Sequence, residues 1–170
     1  MQNRSIPMLA CGTAALLICA AAQAAPVNRV DREFLNTAAT MDMTGAHAAQ
    51  MAQDKAASGE VKDFARMLAK DDGESFGHLQ NVAVKIGATI PRGIDTGRIP
   101  EIKALDSLNG TRFDRQFTHV EITAEQRALT VFRHEAKYGQ NGDLKAYASR
   151  MIPVLDTDLK RAEECAKTAK

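Results

Sequence analysis

Apolar residues return every three or four positions through four long stretches of the chain, the period of a helix with one buried face. The stretches run from about Asp31 to Ala57, Glu60 to Ile86, Arg112 to Tyr138, and Asp143 to the C-terminus. Asp31 and Ser58 stand where N-caps are expected, and Gly87, Gly110 and Gly139 mark helix boundaries. Each stretch covers about 27 residues, roughly 40 Å at about 1.5 Å per residue. The turns around 58-SG-59 and 140-QNG-142 are short, so the helices pair as two antiparallel hairpins. No β-alternation and no internal sequence repeat is evident.

A long segment, 88-ATIPRGIDTGRIPEIKALDSLNG-110, joins the hairpins. Its first half is rich in Pro and Gly. Its second half, after Pro100, predicts a short helix with Ile102, Leu105 and Leu108 packed down. At about 3.3 Å per extended residue it can span the bundle. Such a crossover leaves the second and third long helices parallel, as in ferritin-like bundles. Pro153 falls inside the fourth helix, where a kink is expected.

The apolar stripes are interrupted by acids. In 61-VKDFARMLAKDDGESFGHL-79, Asp72 and Ser75 lie among Val61, Phe64, Leu68 and Leu79. On the third long helix, Glu121 lies inside the stripe and Glu125 near its edge. On the fourth, Asp158 lies with Leu155 and Ala162. The first helix presents small residues near its middle, with Gly45 placed across from Asp72. Depth counted from the turns puts Asp72, Glu121, Glu125 and Asp158 in one layer, to within a helical turn.

Buried carboxylates without partners are costly. Three resolutions are open: raised pKa values with shared protons, pairing with a base such as Lys55 or Arg127 at the stripe edges, or a bound cation. All-oxygen ligands favour Ca, Mg or Mn over Zn or Cu. A paired or hydrated polar layer that fixes helix register needs no ligand at all.

The first 24 residues have another character. Arg4 precedes an apolar run, 8-MLACGTAALLICAAA-22, and 22-AQA-24 precedes Ala25. This is the pattern of a secretory signal peptide, too short and Ala-rich for a good spanning helix. Ile18 before Cys19 and the early position of Cys11 both disfavour a lipoprotein signal. Residues 25–170 are then the bundle domain, with 88–110 as its linker. The chain has 22 basic and 21 acidic residues, and loss of Arg4 with the leader balances them. A balanced charge without a basic patch argues against nucleic-acid binding. Only Cys165 survives leader removal, so an internal disulfide is excluded.

Several segments, 31-DREFLNTAATMDM-43, 61-VKDFARMLAKDD-72, 113-FDRQF-117 and 150-RMIPVLDTDLKRA-162, resemble the bacterial domain-of-unknown-function family 4142. The resemblance extends from about Asp31 to Ala166 and implies an exported, ferritin-like helical bundle with no established activity. It also implies departures. The family pattern has an Asp-His pair where this chain reads 71-DD-72. It has His residues where this chain has Glu125 and Asp158, and a first-helix acid where this chain has Gly45. Acids here occupy three positions that the family gives to His.

Familiar catalytic signatures are missing. There is no Glu-x-x-His for a di-iron site, no Gly-x-Ser-x-Gly, no Gly-rich phosphate loop and no Cys-x-x-Cys. His47, His119 and His134 fall on or near outward faces, and His78 is read as a surface His too. The run 71-DDGE-74 resembles part of a calcium loop but lacks its later ligands. Met41, Met43, Met51 and Met67 have the spacing of core fillers. The expected protein is a periplasmic or envelope-associated all-α four-helix bundle without enzymatic activity. On this reading it is a binding or envelope-stress accessory protein with an unidentified protein partner and no cofactor, its mature chain not spanning the membrane. The alternative is a carboxylate-based Ca, Mg or Mn protein, or a divergent metalloenzyme, using Asp72, Glu121, Glu125 and Asp158. Self-association is a third possibility.

Overall fold

The computed structural model describes residues 27–169, so the expected leader lies outside the described residues. Five helices follow one another: α1 (Arg29–Lys55), α2 (Gly59–Lys85), α3 (Ile99–Asp106), α4 (Gly110–Tyr138) and α5 (Gly142–Thr168). Among the described residues there is no strand, and no helix is long and apolar enough to cross a membrane. The fold is all-α: two antiparallel hairpins, α1–α2 and α4–α5, joined by a long crossover that carries α3.

Local chemistry sets the ends. Ser58 caps α2 by accepting the Val61 amide, and Asn141 caps α5 by accepting the Asp143 and Leu144 amides. Gly87, at φ 70°, closes α2. Its amide bonds the Val84 carbonyl and the Ala88 amide bonds Ala83, the paired bonds of a left-handed helix stop. The expected cap at Asp31 is corrected: α1 starts at Arg29, with Asn28 accepting the Asp31 amide at 3.1 Å. Asn28 wins because it lies one residue before the helix and can reach its free N–H groups. α5 continues as helix through Pro153.

Asp31 is thereby released for another task. Its two carboxylate oxygens accept the Gln140 and Asn141 amides, both at 2.9 Å, across the bundle in the α4–α5 turn. Asp114 on α4 does the same for the α1–α2 turn, accepting the Ala57 amide at 3.0 Å and the Ser58 amide at 2.9 Å. Each hairpin therefore holds the other's turn. Lys85 at the end of α2 pairs with Asp143 at the start of α5, 2.6 Å apart. These ties make α1 antiparallel to α4 and α2 antiparallel to α5, and leave α2 parallel to α4.

The reciprocal clamps expose a repeat that the sequence reading missed. One constant spacing separates Asp31 from Asp114, Phe34 from Phe117, Asp42 from Glu125, Ser58 from Asn141, Gly59 from Gly142 and Phe64 from Tyr147. The hairpins are aligned without a gap, but most paired positions are merely similar, so the duplication stays below notice until the contacts match them.

The core has two halves. One gathers Phe34, Leu79, Phe132, Leu144 and Tyr147 at the α4–α5 turn end, with Phe34 edge-on to Phe132 at 5.1 Å. The other gathers Phe64, Leu68, Phe113, Phe117 and Ala162 toward the α1–α2 turn. Ile102 and Leu105 of α3 are buried and Leu108 packs beside them, as the sequence predicted. In every long helix, an acid stands between the residues of one half and those of the other.

A buried acid layer between two apolar half-cores

Asp42 on α1, Asp72 on α2, Glu121 and Glu125 on α4, and Asp158 on α5 form that layer. Asp42, Glu121, Glu125 and Asp158 are each 5% exposed or less. Asp72 is half-buried as a residue, but its Oδ2 is shielded from solvent. One oxygen of each of the five carboxyls has no hydrogen-bond partner: Asp42 Oδ2, Asp72 Oδ2, Glu121 Oε1, Glu125 Oε2 and Asp158 Oδ1. Native proteins rarely leave buried polar atoms so.

Asp42, Asp72, Glu121 and Glu125 face a cavity of about 130 Å3, which Met41, Gly45, Ala128, Phe132 and Leu155 also line. At roughly 30 Å3 per liquid water, it has room for several waters or a partly hydrated ion. Gly45 makes room there, because a Cβ at this position would overlap Asp72 Oδ2 and force that carboxyl to move. The crossover completes the wall with Asp95, Arg98 and Glu101.

Burial dominates the proton affinities. It pushes Asp42 up to about 8, with the Ser75 hydroxyl opposing. It raises Glu121 to about 8, against the pull of Arg98. Burial, then the charges of Glu121, Asp158 and Asp42, raise Glu125 to about 9. Burial and Asp71 raise Asp158 to about 7. Asp72 is held well above the ordinary range by burial first and then by Asp42, Glu125, Glu121 and Asp158. Without a counter-charge the layer holds protons near neutral pH. Beside it, the Tyr147 and Ser75 hydroxyls share a hydrogen bond at 2.8 Å, and Tyr147 also donates to the Ser75 carbonyl at 3.3 Å.

Of the sequence-predicted residues, Asp72, Glu121 and Glu125 meet around the cavity. Asp158 belongs to the layer but is absent from the cavity wall. Asp42 was missed, although its position four after Ala38 and three before Gly45 puts it on the inner face of α1. The first helix therefore does supply an acid, one turn before Gly45. Of the two proposed bases, Lys55 is corrected and Arg127 reaches the cavity wall. Lys55 pairs instead with Asp106, Nζ to Oδ1 at 2.9 Å, and Arg127 stands 3.8 Å from Asp95 Oδ2. Both reach the crossover; Arg127 also lines the cavity, together with Arg98 of the crossover, whose side chain is the more buried of the two. All four His side chains are exposed, and 71-DDGE-74 is regular helix. Met41, Met51 and Met67 pack against the half-cores. Cys165 is buried with a free thiol.

The chain matches the family described as Domain of unknown function (DUF4142) over residues 18–165. It belongs to that family. Among solved structures it is similar to CopM in the Cu(II)-bound form, with a TM-score of 0.69 at 18% identity, covering 82% of this chain and 97% of that chain. The Cu(I)-bound form of CopM gives a TM-score of 0.69 at 17% identity, covering 81% of this chain and 96% of that one. The Ag-bound form gives 0.66 at 18%, with 81% and 96% covered. At this identity the likeness establishes a shared fold. No curated protein matches the sequence. Among the described residues, no group of three or more His, Cys, Asp or Glu side chains converges closely enough to form a ready-made metal site.

Proposed function

We propose that this chain is an exported, non-enzymatic bundle of ferritin-like topology whose interior acid layer binds a hard divalent cation. The observation that carries the reading is the set of partnerless carboxylate oxygens that α1, α2 and α4 bring to one cavity, with that of Asp158 on α5 in the same layer. A divalent cation would satisfy several of them at once and lower the cost of their burial. The carboxyls surround the cavity without converging on a point. Binding therefore involves either side-chain rotation or a cation that keeps part of its water shell, as Mg and Ca commonly do.

The donor set decides the class of cation. Oxygen ligands suit Ca, Mg and Mn, while Cu(I) and Ag(I) favour thioether, thiolate and imidazole. Met41 is the lone soft donor on the cavity wall. The metals in the CopM structures are consistent with metal handling in this fold, but the acid pocket favours a different class. An accessory role in the cell envelope fits the leader-like segment.

The test is elemental analysis of protein purified from the periplasm without chelator, with calorimetric titration of Ca, Mg, Mn, Zn, Cu and Ag. One equivalent of an oxygen-preferring cation is expected, weakened at least tenfold by Asp72→Asn. Metal-free protein with no heat of binding, together with a gain in stability from Asp72→Leu, would identify the layer as a proton-sharing structural element instead.

A further inference from the structure

The crossover passes directly over the cavity. Asp95, Arg98 and Glu101 are part of its wall. The Asp95 amide donates to Thr44 Oγ1 on α1 at 2.9 Å, and its carboxylate lies 3.8 Å from Arg127 on α4. The side chain of Arg98 is 15% exposed. Its Nε and Nη2 donate to the two oxygens of Glu101 at 3.2 and 2.7 Å, which fixes the guanidinium in a two-point grip. Held there, Arg98 acts on Glu121 through its charge, while Glu121 Oε1 keeps no hydrogen-bond partner.

The attachments of the crossover differ along its length. Ile90, before the cavity, packs on one half-core, and Ile102 and Leu105, after it, are buried in the other. Between them, the single 3-10 turn Thr96–Arg98 contributes no buried residue. In this stretch Asp95 is tied to α1 and α4 by polar contacts, and Arg98 is tied to Glu101 of α3. Apolar anchors at both ends and a polar middle make a strap that can lift locally while α3 stays docked.

We propose that Arg98 is a tethered counter-cation of the acid layer, and that the strap carrying it gates entry of the cation. This rests on the cation-binding reading. A divalent ion next to the guanidinium is opposed by like charge, so the two compete for one field. Entry of the ion drives Arg98 outward and breaks the Asp95–Thr44 bond. The structure thus assigns to Arg98 both the neutralisation of the empty pocket and the setting of its affinity.

Mn or Ca titrations of Arg98→Met and Arg98→Lys test this, with amide exchange followed at Asp95. Arg98→Met is expected to bind about tenfold more tightly than wild type, and Arg98→Lys about equally. Cation at a concentration that fills wild type but not Asp72→Asn is expected to remove the protection of the Asp95 amide in wild type and to leave it in Asp72→Asn. Equal or weaker binding by Arg98→Met, or unchanged Asp95 protection in cation-saturated wild type, would overturn the proposal. Absence of binding by both wild type and Arg98→Met would instead remove the cation-binding reading and the gate with it. Thr44→Val keeps Arg98 and releases the strap. It is expected to speed cation association several-fold, and an unchanged rate contradicts gating.

Discussion

Gly45 leaves the space that the carboxyl of Asp72 occupies. The pair links adjacent helices at the level of the acid layer, and it explains a glycine in the middle of α1. Gly in a helix interior normally costs about 1 kcal/mol relative to Ala. Here the sign is expected to reverse. Gly45→Ala adds a Cβ where Asp72 Oδ2 stands, and such overpacking costs about 1–3 kcal/mol. A net loss of about 1 kcal/mol is predicted in urea denaturation. Gly45→Ala in an Asp72→Ala background is predicted to be stabilising. Independent, additive effects would show that the two positions do not meet.

The acid layer predicts an unusual pH dependence for the metal-free protein. Burial raises Asp158 to about 7, Asp42 and Glu121 to about 8, and Glu125 to about 9. In the unfolded chain these groups ionise near 3.8 for Asp and 4.5 for Glu. Between those ranges the folded state holds more protons, so stability falls as pH rises from about 4 to about 9. Denaturation in chelator across this range checks the slope. Asp42→Asn with Glu125→Gln is expected to flatten it. A rise with pH would mean that the acids are ionised and partnered in the fold.

The two turn clamps carry their own prediction. Each Asp accepts two backbone amides, and a typical hydrogen bond contributes about 0.5–1.5 kcal/mol. The clamps differ in one neighbour. Glu135 is buried near Asp31 with neither oxygen partnered, whereas the corresponding position beside Asp114 is Ala52. Burial first, then Asp31, raises Glu135 to about 7, while Lys145 opposes. As pH climbs from about 4.5 through 7, Glu135 loses its proton beside the Asp31 carboxyl and weakens that clamp. Exchange of the Gln140 and Asn141 amides is therefore expected to accelerate, after correction for intrinsic rates, more than that of Ala57 and Ser58. Glu135→Gln is expected to abolish the difference and to stabilise the protein above pH 7 while changing little below pH 5. Parallel behaviour of the two turns would contradict this.

Much of the architecture was legible in the chain. Four amphipathic stretches, the Ser58 cap and the Gly87 stop follow from local geometry, and the structure reproduces them within about two residues. Asp72, Glu121 and Glu125 were found because each breaks an apolar stripe. Asp42 escaped because Met41 drew attention as the apolar member of its turn, and because Gly45 looked like a missing acid. Asp31 has the composition of a cap, and only a contact with a turn more than a hundred residues away shows otherwise. The partners of Lys55 and Arg127 were similarly hidden, since both reach into an irregular crossover whose path has no periodicity to read.

The sequence by itself determined the helices, their hairpin pairing, the long crossover and the presence of inward acids. These depend on hydrophobic period, capping and chain reach, all of which act over a few residues. Tertiary structure decided which acids share a cavity, which oxygens lack partners, that the crossover brings Arg98 to the layer, and that each hairpin clamps the other's turn. Those outcomes depend on distances between side chains remote in sequence. Helical periodicity fixes a residue's face, but only packing fixes what stands opposite.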